Sequence, residues 1–171
     1  KIPLKAHAHR ADDILTSIRI AKEFGLSLTL DHCTDGEVIA DELAKEGYPA
    51  FVGPTLGNKS KIELANKSFT TPAVLTKAGV NVSIITDAPV IPLRYLPLCA
   101  GLAAHAGLGL DEAWKAITIK PATALGISDR LGTLEAGKDA DIVIWTADPL
   151  TQIGGEAYIT IVDGKIVYSK V

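Results

Sequence analysis

Strand-like and helix-like segments alternate through the first half of this chain, and that alternation restricts the fold to a parallel sheet covered by crossover helices. Four units share the pattern. A strand running to His9 is followed by a helix begun at Asp12 or Asp13, with Ile14, Leu15, Ile18 and Ala21 on one face and Gly25 as its stop. Residues 26–33 form the second strand; Asp35 opens the next helix, which carries Val38, Ile39, Leu43 and Ala44 and ends at Gly47. A third strand at 50–52 runs into Gly53-Pro54-Thr55-Leu56-Gly57, and a short helix through Ala73, Val74 and Leu75 closes at Gly79 before a fourth strand at 80–87. The chain opens in its first strand, at Lys1-Ile2-Pro3-Leu4, as though an earlier part of the fold lay elsewhere. Residues 92–107, 110–117 and 121–126 read as covering helices. Composition then shifts to a turn-rich link at 131–141, the apolar strand Ile142-Val143-Ile144-Trp145, and a hairpin of 157–162 and 165–168 turning at Asp163-Gly164. Two regions follow, an α/β unit over 1–130 and a small β unit over 131–171.

Three of the strands end on residue types that ligate metals. They are Leu4-Lys5-Ala6-His7-Ala8-His9, Leu28-Thr29-Leu30-Asp31-His32 and Val82-Ser83-Ile84-Ile85-Thr86-Asp87. Carboxyl ends of parallel strands gather at one rim, so His7, His32 and Asp87 can converge on one ion despite their separation in sequence. Strand alternation places His7 and His9 on one face, with His9 further out, facing substrate or supporting the ligands. The same alternation puts His32 in line with Leu28 and Leu30 and turns Asp31 to the opposite face, as a cap or surface pair. One Asp87 oxygen would bind the ion while the other handles the proton of an attacking water. A strand-end histidine can also serve only as a hydrogen-bonding group of the rim, and Asp87 as a turn cap. Cys33 reads as a small buried thiol, and His105, on a helix, is left out of the site. The loop Gly53 to Lys61 lacks the Walker pattern, and substrate contact there stays open.

With 47% hydrophobic and 22% charged residues in 171, the chain has the makings of a packed core. A net charge of -3 leaves no basic stripe for a nucleic acid, and no apolar run reaches the roughly 18 residues a membrane span requires. Small-molecule substrates remain. Two cysteines make no disulfide framework, and without a signal-peptide pattern a cytoplasmic location is expected.

The segments HAHRADDI, LTLDHCTDG, SIITDAPVIPLRYLPL and PATALGISDRLGTLEAGKDADIVIW resemble the C-terminal half of the metal-dependent amidohydrolase superfamily, nearest to its imidazolonepropionase-like subgroup. The resemblance implies an α/β fold: strands five to eight, the C-terminal half of a (β/α)8 TIM barrel, in residues 1–130, and part of a small C-terminal β-sandwich in 131–171. It implies His7 and His32 as metal ligands, Asp87 as acid/base, and a divalent cofactor of the Zn²⁺ type. The family's His-x-His pair on a first strand and its fourth-strand lysine or glutamate have no counterpart here, so this piece alone is expected to be inactive. Ala88 stands where a histidine is common after the aspartate, and Cys33 where a glycine often follows the histidine.

The leading expectation is therefore a metal-dependent hydrolase acting on a C–N bond of an amide or cyclic amide, with a small-molecule substrate. Two alternatives remain: a non-catalytic half-barrel assembling with itself or with a missing N-terminal half, as exposed sheet edges suggest, and a metal-free binding domain.

Overall fold

The computed structural model describes residues 2–170; Lys1, expected in the first strand, and Val171 lie outside the described residues. Four parallel strands, β1 (Leu4–Ala8), β2 (Leu28–His32), β3 (Ala50–Val52) and β4 (Val82–Ile84), pair in the order β1-β2-β3-β4. The crossovers carry α1 (Ala11–Glu23), α2 (Ala40–Glu46, preceded by a 3₁₀ turn at Gly36–Ile39) and α3 (Thr71–Ala78). All three helices pack on one face. Ala8, Leu28, Leu30, Ala50, Val52 and Val82 of the strands close a core with Ile14, Ile18, Leu43 and Leu75. Strand alternation leaves the other face to Lys5, His7, Thr29, Asp31, Phe51 and Ser83, which the parallel register sets side by side. There Lys5 Nζ pairs with Asp31 at 3.0 Å and lies 4.6 Å from the centre of the Phe51 ring.

The expected C-terminal half of a (β/α)8 TIM barrel, its strands five to eight, is corrected by this topology. β1 and β4 are both edges of an open four-stranded sheet, and the return pairing of last strand to first that closes a barrel is not made among the described residues.

Helices were legible in the sequence because their apolar residues recur at helical spacing, yet two fall outside the core: Leu15 and Val38 are 39% and 72% exposed. β4 is shorter than expected, because the chain leaves the ladder after Ile84 and reaches a positive φ of 50° at Asp87. Beyond it come α4 (Leu96–Ala103), α5 (Leu110–Ala116) and α6 (Ile119–Ala124), and α4 and α5 build a second core in which Ile84 meets Cys99, Ala100, Ala103, Leu108, Ala113 and Ala116. A three-stranded antiparallel sheet follows, β5 (Ile142–Trp145), β6 (Ala157–Val162) and β7 (Lys165–Ser169). Its hairpin turns through Asp163 and Gly164 at φ 50° and 72°, the paired positive values of a type I′ turn. None of its residues belongs to either core. Between α4 and this sheet lies a cavity of about 1200 Å³, lined by Leu96, Leu102, Trp145, Leu150 and Tyr168 and by none of the candidate ligands. No helix among the described residues is long and apolar enough to cross a membrane.

Candidate metal centre

Three imidazoles meet where β1 and β2 end. His7, His9 and His32 each offer a ring nitrogen, and these atoms lie within 4.8 Å of one another. The rings of His9 and His32 stack at 4.5 Å, while His7 stands edge-on to both, 5.0 Å from His9 and 4.2 Å from His32. His9 and His32 are buried and His7 is exposed, so the cluster is open to solvent on one side.

His7 and His9 reach this place by simple alternation along β1. His32 does not. Its register partner is Ala8, and His7 is paired with Asp31, so regular strand geometry would send the His32 ring to the helix-covered face with Leu28 and Leu30. Left-handed backbone at His32 (φ 78°) and Cys33 (φ 47°) turns the ring instead toward His7. Such conformations cost of order 1–3 kcal/mol for residues with side chains and persist where surrounding contacts hold them. Here His32 Nδ1 donates to the Gly53 carbonyl at 2.6 Å, and Cys33 N–H donates to the Ala8 carbonyl at 3.1 Å. Gly53 can present that carbonyl because it lacks a side chain: with φ 140°, a Cβ would stand 2.2 Å from the Ile85 carbonyl oxygen.

A carbonyl oxygen only accepts, so His32 carries its proton on Nδ1, and neutral His32 has a bare lone pair on Nε2. That lone pair faces His7 Nδ1 at 2.9 Å. Without a cation the two nitrogens share a hydrogen from His7; with one, both point lone pairs at the ion. Two nitrogens on one tetrahedral zinc stand about 3.3 Å apart, close to the spacing already present. His9 shares a hydrogen bond of 2.8 Å between Nδ1 and Thr34 Oγ1. Burial, reinforced by the neighbouring His32 and His7, pushes its pKa down to about 4, so it is a neutral ring at ordinary pH, the form that ligates metal. The donor set therefore fits a borderline divalent ion of the zinc type.

The four residues expected from sequence are thus not treated alike by the fold. His7 and His32 come together; His9, expected further out, joins them as a full member. Asp87 sits at the exit of β4, exposed, with its carbonyl accepting from Val90 N–H at 2.8 Å, and does not belong to the clustered group. Asp31 lies on the face of His7 and is engaged by Lys5 at 3.0 Å, the surface pair expected of it. Cys33 is fully buried, and burial raises its thiol to about 12, as befits an inert core residue. Sequence reasoning passed over Thr34, Glu63 and Gly53, because none carries a motif: Gly53 acts through its carbonyl, and Glu63 Oε1 comes within 4.0 Å of His9 Nε2 only because a long loop folds back.

Comparisons with known proteins give the family and the fold. The chain is 34% identical to an imidazolonepropionase of Maricaulis maris (strain MCS10) over 158 residues, 89% of this chain and 37% of that protein. It is 27% identical to an amidohydrolase of Hapsidospora irregularis, covering 88% of this chain and 16% of that one. Among solved structures, an amidohydrolase from Thermotoga maritima MSB8 superposes with a TM-score of 0.95 at 40% identity, over 98% of this chain and 44% of the other. An adenosine deaminase from Xanthomonas campestris, solved with bound zinc, shares the fold at a TM-score of 0.72 and 24% identity, over 98% of this chain and 46% of that one. The chain spans well under half the length of the curated relatives it matches, and nothing in these matches restores the C-terminal-half assignment. The family model described as "Amidohydrolase family" matches residues 2–167, and the chain belongs to that family.

Proposed function

We propose that this chain carries the metal-binding part of a hydrolase that cleaves C–N bonds in amides or cyclic amides, with His7, His9 and His32 holding one zinc-type ion. The observation that carries the reading is the His32 ring, turned by strained backbone and locked through Nδ1 on Gly53 so that its Nε2 lone pair meets His7 at 2.9 Å. A bound ion there supplies Lewis acidity, which acidifies water and polarises a carbonyl. Asp87, at the carboxyl end of β4 and so on the same rim as the imidazoles, completes the ligand set and handles the proton. One carboxylate oxygen accepts a proton from the attacking water as the C–O bond forms, and returns it to the nitrogen as the C–N bond breaks. The buried rings of His9 and His32 keep water from the inner side of the centre, while exposed His7 marks the side from which a small-molecule substrate enters. The imidazolonepropionase and amidohydrolase relatives support this reaction class.

Zinc titration against a competing chelator should give about one ion per chain, lost in His7→Ala and His32→Ala. In the longest natural protein containing this chain, Asp87→Asn should keep the metal and lose at least about a hundredfold in turnover of cyclic amides. Near-normal turnover with metal retained would refute the role of Asp87.

A second reading is a non-catalytic unit that assembles with another copy of itself. Its support is the pair of open edges, β1 and β4. Light scattering after size exclusion distinguishes the two, since a lone monomer that binds zinc would overturn assembly.

A further inference from the structure

Asp35, just past the end of β2, makes three contacts that no catalytic role requires. Its backbone N–H donates to the His9 carbonyl at 2.8 Å. Its Oδ2 accepts from the Ala11 N–H at 3.1 Å, and its Oδ1 accepts from Asn66 Nδ2 at 2.9 Å. The first two bonds fall on either side of Arg10, so they fix the path by which the chain leaves β1 and enters α1. With Cys33 N–H on the Ala8 carbonyl and Thr34 Oγ1 on the His9 ring, the tripeptide 33–35 grips residues 8–11 at four points.

The carboxylate is needed at this place because α1 has no cap of its own. Arg10 occupies the N-cap position in extended conformation and offers no side-chain acceptor, so the first amide of the helix would be an orphan donor. Asp35 answers it from another βα unit, with a charge that suits the positive end of the helix dipole. The third contact reaches the long loop between β3 and α3. Asn66 closely follows the 3₁₀ turn Ile62–Leu64, which carries Glu63 to within 4.0 Å of His9 Nε2. Glu37 adds a parallel tie, accepting from Thr70 Oγ1 at 2.5 Å and Thr71 Oγ1 at 2.9 Å.

We infer that Asp35 is a positioning residue that fixes the backbone on both sides of Arg10, and through it the place of the His9 imidazole against Thr34, and that it holds the 53–70 loop over that ring through Asn66. The inference rests on the reading of His9 as part of the metal centre, and it adds an anchor that comes from neither the ligands nor their own strand.

The test uses metal-free protein and three variants, read by long-range ¹H–¹⁵N spectra of the His9 ring and by hydrogen exchange of the loop, with chelator competition for zinc measured afterwards. Asp35→Ala should move His9 Nδ1 toward the shift of a ring without its Thr34 partner, and speed exchange of amides 58–66 about tenfold, the loss expected for a hydrogen bond to a charged group. Its zinc affinity should fall about tenfold, the lower end for loss of an outer support. Asp35→Asn should recover most of this, because an amide oxygen still accepts from Ala11 N–H and an amide NH₂ can donate to a turned Asn66 side chain. Asn66→Ala should free the loop while leaving the His9 ring unmoved. The inference is overturned if Asp35→Ala leaves ring and loop as in the parent, or if Asn66→Ala displaces the ring as much as Asp35→Ala does. Should Asp35→Ala not fold, Ala11→Pro removes the same hydrogen bond at a first helical position that suits proline, and it should move the ring while leaving the loop in place; an unmoved ring then overturns the inference. Ring and loop responses with no zinc bound by the parent would sink the metal reading alone.

Discussion

At the scale of single residues, the centre depends on backbone as much as on imidazoles. Gly53 contributes no side chain, yet its carbonyl fixes the His32 tautomer, and a methyl group there would collide with Ile85. Gly53→Ala should cost at least about 2 kcal/mol from strain and collision, measurable as a lowered urea midpoint, and should weaken zinc binding in the protein that still folds. His9 makes a prediction about pH. Its folded pKa lies at about 4 against an ordinary 6.5, so between those values the unfolded chain takes up a proton that the folded protein resists. Stability of the metal-free protein should therefore fall as pH is lowered through that window, and be fully present above it. Urea unfolding of the parent and His9→Gln across the window should show a smaller pH dependence in the variant; parallel curves would contradict the assignment.

Among elements, the helices were plain in the sequence because spacing of Ile14, Ile18 and Ala21, or of Leu43 with its neighbours, needs nothing but local periodicity. Strand ends were harder. Alternation correctly put His7 and His9 together and made Asp31 a surface pair, but it set the His32 ring in line with Leu28 and Leu30, on the side the helices cover. The expected meeting of His7 and His32 came true for a reason that alternation does not contain, the left-handed turn at the end of β2. LDHC carries neither glycine nor asparagine, the residues that most often mark such a turn. The helices that cover the sheet are held by side chains such as Leu75 of α3, fully buried against the turn at Gly36. Leu75→Ala should cost about 2–5 kcal/mol in urea unfolding, the range for a leucine removed from a packed core.

For the molecule as a whole, two cores serve the parallel sheet and its helices, and the antiparallel sheet shares in neither. Hydrogen exchange should accordingly be faster in β6 and β7 than in β1 and β2, because local stability follows buried apolar contact. Equal protection in the two sheets would mean that the small sheet is held by contacts beyond its own residues. By itself the sequence determined the order of elements, the parallel sheet, the hairpin at Asp163-Gly164 and the residue types able to bind metal, because these follow from periodicity, turn chemistry and side-chain identity, all local properties. Only the tertiary structure decided that the sheet stays open among the described residues, that His9 joins His7 and His32 in one cluster, that the Gly53 carbonyl holds the His32 ring, and that Asp35 bonds the backbone beside His9. Those outcomes depend on which backbone groups from distant units come within hydrogen-bond reach, and a carbonyl or an amide leaves no mark in the order of side chains.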